Sequence, residues 1–326
     1  MFNLAIFGAT GMVGQKMKLI LEERNLPIKN IYFFASEKSA GKEISFMGND
    51  YIIEELCEEN IKNKDIDYAL SALDSDLANT FAPIAAKYGI TTIDNSSAFR
   101  MNENISLVVP EINKEELKKD NKIIASPNCS TIQSVVALYP IYKKYGIKRI
   151  IYTTYQAVSG SGVNGINDLR TGTWGGENNF YPHQIAYNIL PHIDDFLDDG
   201  YTKEEMKMVN ETKKIFNDYD LKITATAARV PVINSHLVAI NVETEKDFNL
   251  DDIFNLFKEE EGIVLYDDVK NNIYPTPLES AGKNEVFVGR IRRDESIENG
   301  LNLICVSDNT RKGAALNTIQ ILEELI

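Results

Sequence analysis

The spacing of hydrophobic positions changes along this chain, and each change marks a different kind of structure. Short apolar runs at residues 3–7, 31–35, 66–71 and 91–93 are separated by stretches of helical period at 13–24 and 75–88. Apolar strands alternating with helices predict parallel βαβ units with right-handed crossovers, hence a doubly wound, Rossmann-like sheet. A strand-like run at 122–125 leads into a helix over 130–145, whose apolar stripe is Ile132, Val135, Val136, Tyr139 and Tyr142. The pattern then changes. A long strand at 149–158 is followed by a Gly-rich loop, a polar segment to about residue 201 and a helix over 203–216. Runs at 222–232, 236–244, 285–293 and 301–307 read as further strands with turns between them, which predicts a mostly antiparallel second sheet. The last stretch, 310–326, is an amphipathic helix with Ala315, Leu316, Ile319, Leu322 and Leu325 on one stripe, expected to return to the first domain. The expected division is 1–127 with 308–326 as one domain, and 128–307 as a second, α+β domain.

Composition narrows the function classes. With 326 residues, 44% hydrophobic and 25% charged, the chain can bury two cores and is not disordered. The formal net charge of −14 opposes binding to nucleic acid or to an anionic membrane. An anionic ligand therefore needs a dedicated cluster of cations. No apolar run is long enough to span a bilayer and the N-terminus lacks a signal-peptide pattern, so a cytoplasmic protein is expected. Cys57, Cys129 and Cys305 form no CxxC pair, and His183, His192 and His236 lack the spacing of metal ligands, so neither a disulfide framework nor a metal is expected.

Candidate chemistry centres on Pro127-Asn128-Cys129-Ser130, at the junction of strand and helix. A thiol at a helix N-terminus meets free N–H groups and the positive end of the helix dipole, which favour the thiolate over a reference pKa of about 8.5. The alternative for Cys129 alone is a small buried packing residue. Near the N-terminus, Gly8-Ala9-Thr10-Gly11-Met12-Val13-Gly14 gives strand, tight turn and helix start, where backbone N–H groups approach a pyrophosphate. After the second strand stand Ser36, Glu37, Lys38 and Ser39. Ser36, Lys38 and Ser39 favour the extra phosphate of NADP, while Glu37 keeps NAD open. A thiolate beside a nicotinamide site suits aldehyde chemistry, because a thiohemiacetal gives up hydride to become a thioester. His236, with an ordinary pKa near 6.5, would be a proton shuttle, or else a structural histidine on its strand. Arg100 and Arg229 offer bidentate forks for phosphate or carboxylate, and Glu211 and Lys214 share one face of a helix. Each of these charges alone could equally be a surface ion or a plain ion pair.

Together these segments resemble the aspartate-semialdehyde dehydrogenase family. The likeness also rests on Asn95-Ser96-Ser97-Ala98-Phe99-Arg100, Val108-Val109-Pro110-Glu111, Gln156-Ala157-Val158-Ser159-Gly160, Arg229-Val230-Pro231, and Val306-Ser307-Asp308-Asn309, and it spans essentially the whole chain. The resemblance implies Cys129 as nucleophile, His236 as general acid/base, Gln156 as substrate-orienting residue and Asn128 as support beside the thiol. It implies Arg100 and Lys214 at phosphate or the phosphoryl group, Arg229 at the α-carboxylate and Glu211 at the α-ammonium. Gly8, Thr10, Gly11, Met12, Val13, Ser36, Lys38, Ser39, Ser159, Gly160 and Asn309 would contact the dinucleotide. The implied reaction is the reversible, phosphate-dependent interconversion of L-aspartyl-4-phosphate and L-aspartate 4-semialdehyde with NADP(H), on the route to lysine or diaminopimelate, threonine, methionine and isoleucine. The implied partners are the substrate, inorganic phosphate and further copies of the chain, as a homodimer or homotetramer through the second sheet. Asp74 and Asp76, where relatives carry a small loop, are expected to weaken an NADP preference. The rival readings are the related N-acetylglutamyl-phosphate reductase, a phosphate-independent aldehyde dehydrogenase, and a dinucleotide-binding sensor without turnover.

Overall fold

The computed structural model describes residues 1–118 and 120–326. It divides into two compact units, Met1–Pro127 with Ala314–Ile326, and Asn128–Gly313.

The first unit is built on β1 (Phe2–Phe7), β2 (Ile28–Ala35), β5 (Glu54–Glu55), β6 (Tyr68–Ser71), β7 (Thr91–Asp94) and β8 (Ile123–Ala125), with a separate hairpin of β3 (Glu43–Phe46) and β4 (Asn49–Ile52). The six strands lie in the order β5-β2-β1-β6-β7-β8, and every pairing is parallel. β1 is buried along its whole length, as a strand covered by helices on both sides must be. The helices are α1 (Met12–Arg24), α2 (Glu58–Lys62), α3 (Ser75–Lys87), α4 (Pro110–Asn113) and α10 (Leu316–Leu325). Met17, Ile20 and Leu21 of α1 share a core with Leu316, Ile319 and Leu322 of α10 and with Leu4 and Ile6 of β1. Just before α10, Arg311–Ala315 forms a π-helical turn instead of a continuous α-helix. The hairpin was not legible in the sequence, because its strands are four residues long and largely exposed.

The second unit has β9 (Ile147–Gln156), β10 (Lys222–Arg229), β11 (His236–Thr244), β12 (Ile263–Leu265), β13 (Val286–Asp294) and β14 (Gly300–Ser307) in the order β10-β9-β11-β14-β13-β12. The three inner pairings are antiparallel, and the outer pairs β10/β9 and β13/β12 are parallel. Its helices are α5 (Cys129–Tyr145), α6 (Gly162–Thr173), α7 (Lys203–Phe216), α8 (Leu250–Glu259) and α9 (Pro277–Ser280). The expected Gly-rich loop after β9 is only a 3-10 turn, Val158–Ser161, and the segment after it folds as α6. Gly165 and Gly172 sit inside α6 because neighbours crowd them: a Cβ on Gly165 would lie 2.6 Å from Tyr181 OH. Packing therefore overrides the low helix propensity of glycine.

The turn between β1 and α1 depends on the absence of side chains. Gly8 has φ +81°, and a Cβ on Gly14 would stand 2.3 Å from the Gly8 carbonyl oxygen. Gly14→Ala should therefore push α1 away from the turn, at about 1–3 kcal/mol of stability. A denaturant midpoint equal to that of wild type would refute this.

Candidate active site

The nucleophile position is set by a helix start. Cys129 is the first residue of α5, and Asn128 is its N-cap, with Oδ1 accepting from the N–H groups of Ser130 (2.9 Å) and Thr131 (3.3 Å). Two glutamates of α7 hold that cap. Glu211 Oε2 accepts the Asn128 backbone N–H at 2.6 Å, and Glu204 Oε1 accepts from Asn128 Nδ2 at 2.9 Å. The two lie seven residues apart, two helical turns, and so project from one face. Thr202 and Glu205 start α7 with a reciprocal capping box, which fixes where that face points. Against the Cys129 Cβ lies Gly313, where an added Cβ would come within 2.8 Å of it.

His236 opens β11 and is fully buried. Its Nδ1 accepts the Ala157 N–H at 3.0 Å, so the neutral ring carries its proton on Nε2, which has no partner among the described residues. Gln133, one turn after Cys129 on α5, ties the two elements: its Nε2 donates to the His236 carbonyl (3.1 Å) and its Oε1 accepts from Ser307 Oγ (2.8 Å). Burial, and next the positive Arg229, bring the His236 pKa down to about 3, with Asp308 opposing. The sequence expectation of an ordinary value near 6.5 is thus not met. An imidazolium would also set an Nδ1–H against the Ala157 N–H.

Arg229 ends β10, buried, with Nη1 donating to the Ala157 carbonyl at 2.8 Å and Nε unpaired among the described residues. Gly160 adjoins both groups. A Cβ there would lie 2.9 Å from Arg229 Nη1 and 3.4 Å from His236 Nε2, so the missing side chain leaves that space open. Gln156 ends β9 and donates through Nε2 to Glu204 Oε1 (3.1 Å) and Thr154 Oγ1 (3.3 Å). Ser159 and Asn309 hydrogen-bond each other (3.0 Å), and Asn309 Oδ1 accepts the Ser235 N–H beside His236. Lys214 lies on α7 three residues beyond Glu211 and is half-buried. The second unit thus gathers Asn128, Cys129, Gln156, Ser159, Gly160, Arg229, His236 and Asn309 into one linked set around α5 and α7.

The remaining sequence candidates belong to the first unit. Arg100 is buried, with Nε donating to the Ser126 carbonyl (2.9 Å) and Nη2 to the Asn95 carbonyl (2.6 Å). Gly11 caps α1 without any side-chain hydrogen bond. The first-turn N–H groups of Met12 and Val13, beside exposed Thr10, therefore remain for an anion. Ser36 and Lys38 are exposed and Ser39 half-buried, at the turn after β2. Asp74 is the N-cap of α3, its Oδ1 accepting the Leu77 N–H at 2.9 Å. One oxygen of that carboxylate thus serves its own helix.

Sequence reasoning missed Glu204, Gln133 and Gly313. The spacing of Glu204 to Glu211 and of Cys129 to Gln133 carried a usable signal, since both pairs share a helical face. Nothing local marked Gly313.

Residues 3–120 match the family model "Semialdehyde dehydrogenase, NAD binding domain", and residues 138–312 match "Semialdehyde dehydrogenase, dimerisation domain". The aspartate-semialdehyde dehydrogenase of Aquifex aeolicus is 48% identical over 334 residues, covering 100% of this chain and 98% of that one. That of Bacillus subtilis is 44% identical, covering 99% and 97%. The chain belongs to the aspartate-semialdehyde dehydrogenase family. The fold agrees: the crystal structure of aspartate semialdehyde dehydrogenase II from Vibrio cholerae superposes with a TM-score of 0.95 at 44% identity, covering 99% of this chain and 98% of that one. The Vibrio cholerae enzyme has also been solved complexed with ASA, and a Candida albicans aspartate semialdehyde dehydrogenase with NADP, the latter at TM-score 0.76 and 26% identity. Among the described residues no helix is long and apolar enough to cross a membrane, and no group of acidic, His and Cys side chains could hold a metal ion.

Proposed function

We propose that the chain interconverts L-aspartyl-4-phosphate and L-aspartate 4-semialdehyde with NADP(H) through a thioester on Cys129. The observation that carries this reading is the capped start of α5, with Cys129 as its first residue and the backbone of the buried His236 tied to the same helix by Gln133, which donates to the His236 carbonyl. In the reductive direction the Cys129 thiolate attacks the acyl carbon, the carbon–oxygen bond to phosphate breaks, and phosphate leaves with a proton from water. A dinucleotide held by the first unit would supply the hydride, after which the oxyanion would collapse to the aldehyde and restore the Cys129 thiolate. His236 stays neutral and donates a hydrogen bond from Nε2–H to the oxyanion, which needs no transfer of its proton.

Arg229 takes the α-carboxylate, Glu211 the α-ammonium, and Arg100 and Lys214 the phosphoryl group or phosphate, matching each ligand charge with its opposite. The open glycine turn, the uncapped α1 start, Ser36, Lys38 and Ser39 fit a dinucleotide with a 2′-phosphate, with Ser159, Gly160 and Asn309 on the nicotinamide side. For assembly as a dimer or tetramer, the support is the half-exposed face of the second sheet at Ile151, Thr153, Ala239, Asn241 and Ile304, together with the family model for that region.

The test follows absorbance of NADPH formed from L-aspartate 4-semialdehyde, with and without phosphate. With phosphate the reaction is sustained. Without it, at most one NADPH forms per site, because the thioester has no acceptor. Sustained turnover without phosphate, or turnover of only the N-acetylglutamate semialdehyde, would overturn the proposal.

A further inference from the structure

Glu204 lies on no sequence motif, yet its carboxylate joins two residues of the site. It is 5% exposed, and Oε1 accepts from both Asn128 Nδ2 (2.9 Å) and Gln156 Nε2 (3.1 Å). Oε2 faces Lys207 Nζ at 3.3 Å, and Lys207 also donates to Asp194 Oδ2 at 2.6 Å. A carboxamide has a donor end and an acceptor end of nearly the same shape, so packing alone does not choose between its two orientations. A carboxylate does choose, because it only accepts.

We propose that Glu204 is a positioning residue, its carboxylate orienting the Asn128 and Gln156 carboxamides so that Asn128 caps the helix carrying the Cys129 thiol and Gln156 presents its oxygen to substrate. The inference rests on the reading of Cys129 as nucleophile.

If Asn128 were flipped, its oxygen would oppose the Glu204 carboxylate and its NH2 would oppose the Ser130 and Thr131 N–H groups. Both contacts would be repulsive, so the cap is held in one sense. Gln156 is likewise fixed with Nε2 inward, and its Oε1 takes no hydrogen bond among the described residues, leaving an acceptor for a ligand donor. Burial alone raises the Glu204 pKa, but Lys207, the two amides and Arg229 together bring it below the usual value, so the carboxylate is ionised and acceptor-only. Its negative charge near Cys129 works against a thiolate, whereas its hold on the cap works for one. The two effects predict opposite signs and can be separated.

The experiment compares Glu204→Asp and Glu204→Gln with wild type. Alkylation of Cys129 by iodoacetamide is followed against pH by peptide mass, alongside kcat and KM for the semialdehyde. Asp keeps the charge but is too short to reach both amides; Gln keeps the reach but cannot offer an oxygen both to the amides and to Lys207. If Glu204 acts by positioning, both variants alkylate at least threefold more slowly at pH 7, the midpoint of the alkylation profile rises, and kcat falls at least tenfold. In an Asn128→Ala/Gln156→Ala background, Glu204→Asp should then change the alkylation rate by less than twofold, because its two targets are gone. An alkylation profile for Glu204→Asp that overlays wild type, a lower midpoint for Glu204→Gln, or full additivity in the double background would each overturn the proposal. If only one variant folds, its midpoint shift decides by the same signs. Alkylation does not depend on which aldehyde is turned over, so failure of the proposed reaction would show separately, as wild type without NADPH formation.

Discussion

Cys129→Ala should abolish NADPH formation from L-aspartate 4-semialdehyde, with kcat falling by at least about three orders of magnitude. The side chain lost is the only one of the three cysteines at a helix start within the linked site; Cys57 is half-buried at the entry to α2, and Cys305 lies in the core with its thiol pushed up to about 12 by burial. A thiol with that pKa is not a nucleophile at neutral pH. Removing Cys129 should leave the fold intact. The Asn128 cap is made to the Ser130 and Thr131 N–H groups, not to the thiol, and alanine keeps the Cβ that lies against Gly313. The stopped reaction is thus expected with an unchanged melting transition. Residual activity above a trace would mean that the aldehyde is oxidised without a covalent adduct on this residue, and the thioester mechanism would fall.

His236→Gln should lower kcat by about a hundredfold or more, within the range expected for losing a positioned donor at a developing oxyanion. The same variant should change how stability depends on pH. The folded-state pKa of His236, about 3, lies below its unfolded value of about 6.5. Between these values the unfolded chain binds a proton that the folded chain does not, so unfolding gains as pH falls. Wild type therefore holds this contribution fully above about pH 6.5 and loses it progressively toward pH 3, by on the order of 5 kcal/mol. His236→Gln has no such proton to bind. Denaturation midpoints for the two proteins should diverge at neutral pH and converge or cross on acidification. Equal slopes in that window would show that His236 is not held neutral. Activity gives an independent check: kcat/KM should show no limb near pH 6.5 assignable to His236. A limb there that disappears in His236→Gln would restore the ordinary proton shuttle.

Sequence patterning determined the frame. β1, α1, α3, α7 and β11 are found within a few residues of their expected bounds, because each carries its own signal: an unbroken apolar run, a 3.6-residue stripe, or a cap such as Thr202 with Glu205. The helix start at Cys129 is legible for the same reason, since Asn128 followed by an apolar stripe is a local instruction. The glycines at 8 and 14 are legible as a turn, though only the folded chain shows what a side chain would strike.

What the sequence could not carry is everything that depends on partners distant along the chain. The glycines of α6 lower its local helix propensity and give it the pattern of a loop, and the contacts that outweigh this come from residues such as Tyr181 and Ala186. The outer parallel pairings of the second sheet depend on which strands meet, and strand periodicity is the same for either direction. The chemistry follows the same division. Residue types announced a thiol, an imidazole and a set of cations, and hence the class of reaction. The tertiary structure decided their states. Burial and Arg229 suppress the charge on His236, the Ala157 N–H chooses which ring nitrogen holds the proton, and Glu204, 76 residues from Asn128, chooses which way an amide points. Protonation and hydrogen-bond polarity are set by local dielectric and by the nearest donor or acceptor, and neither exists until the chain has folded.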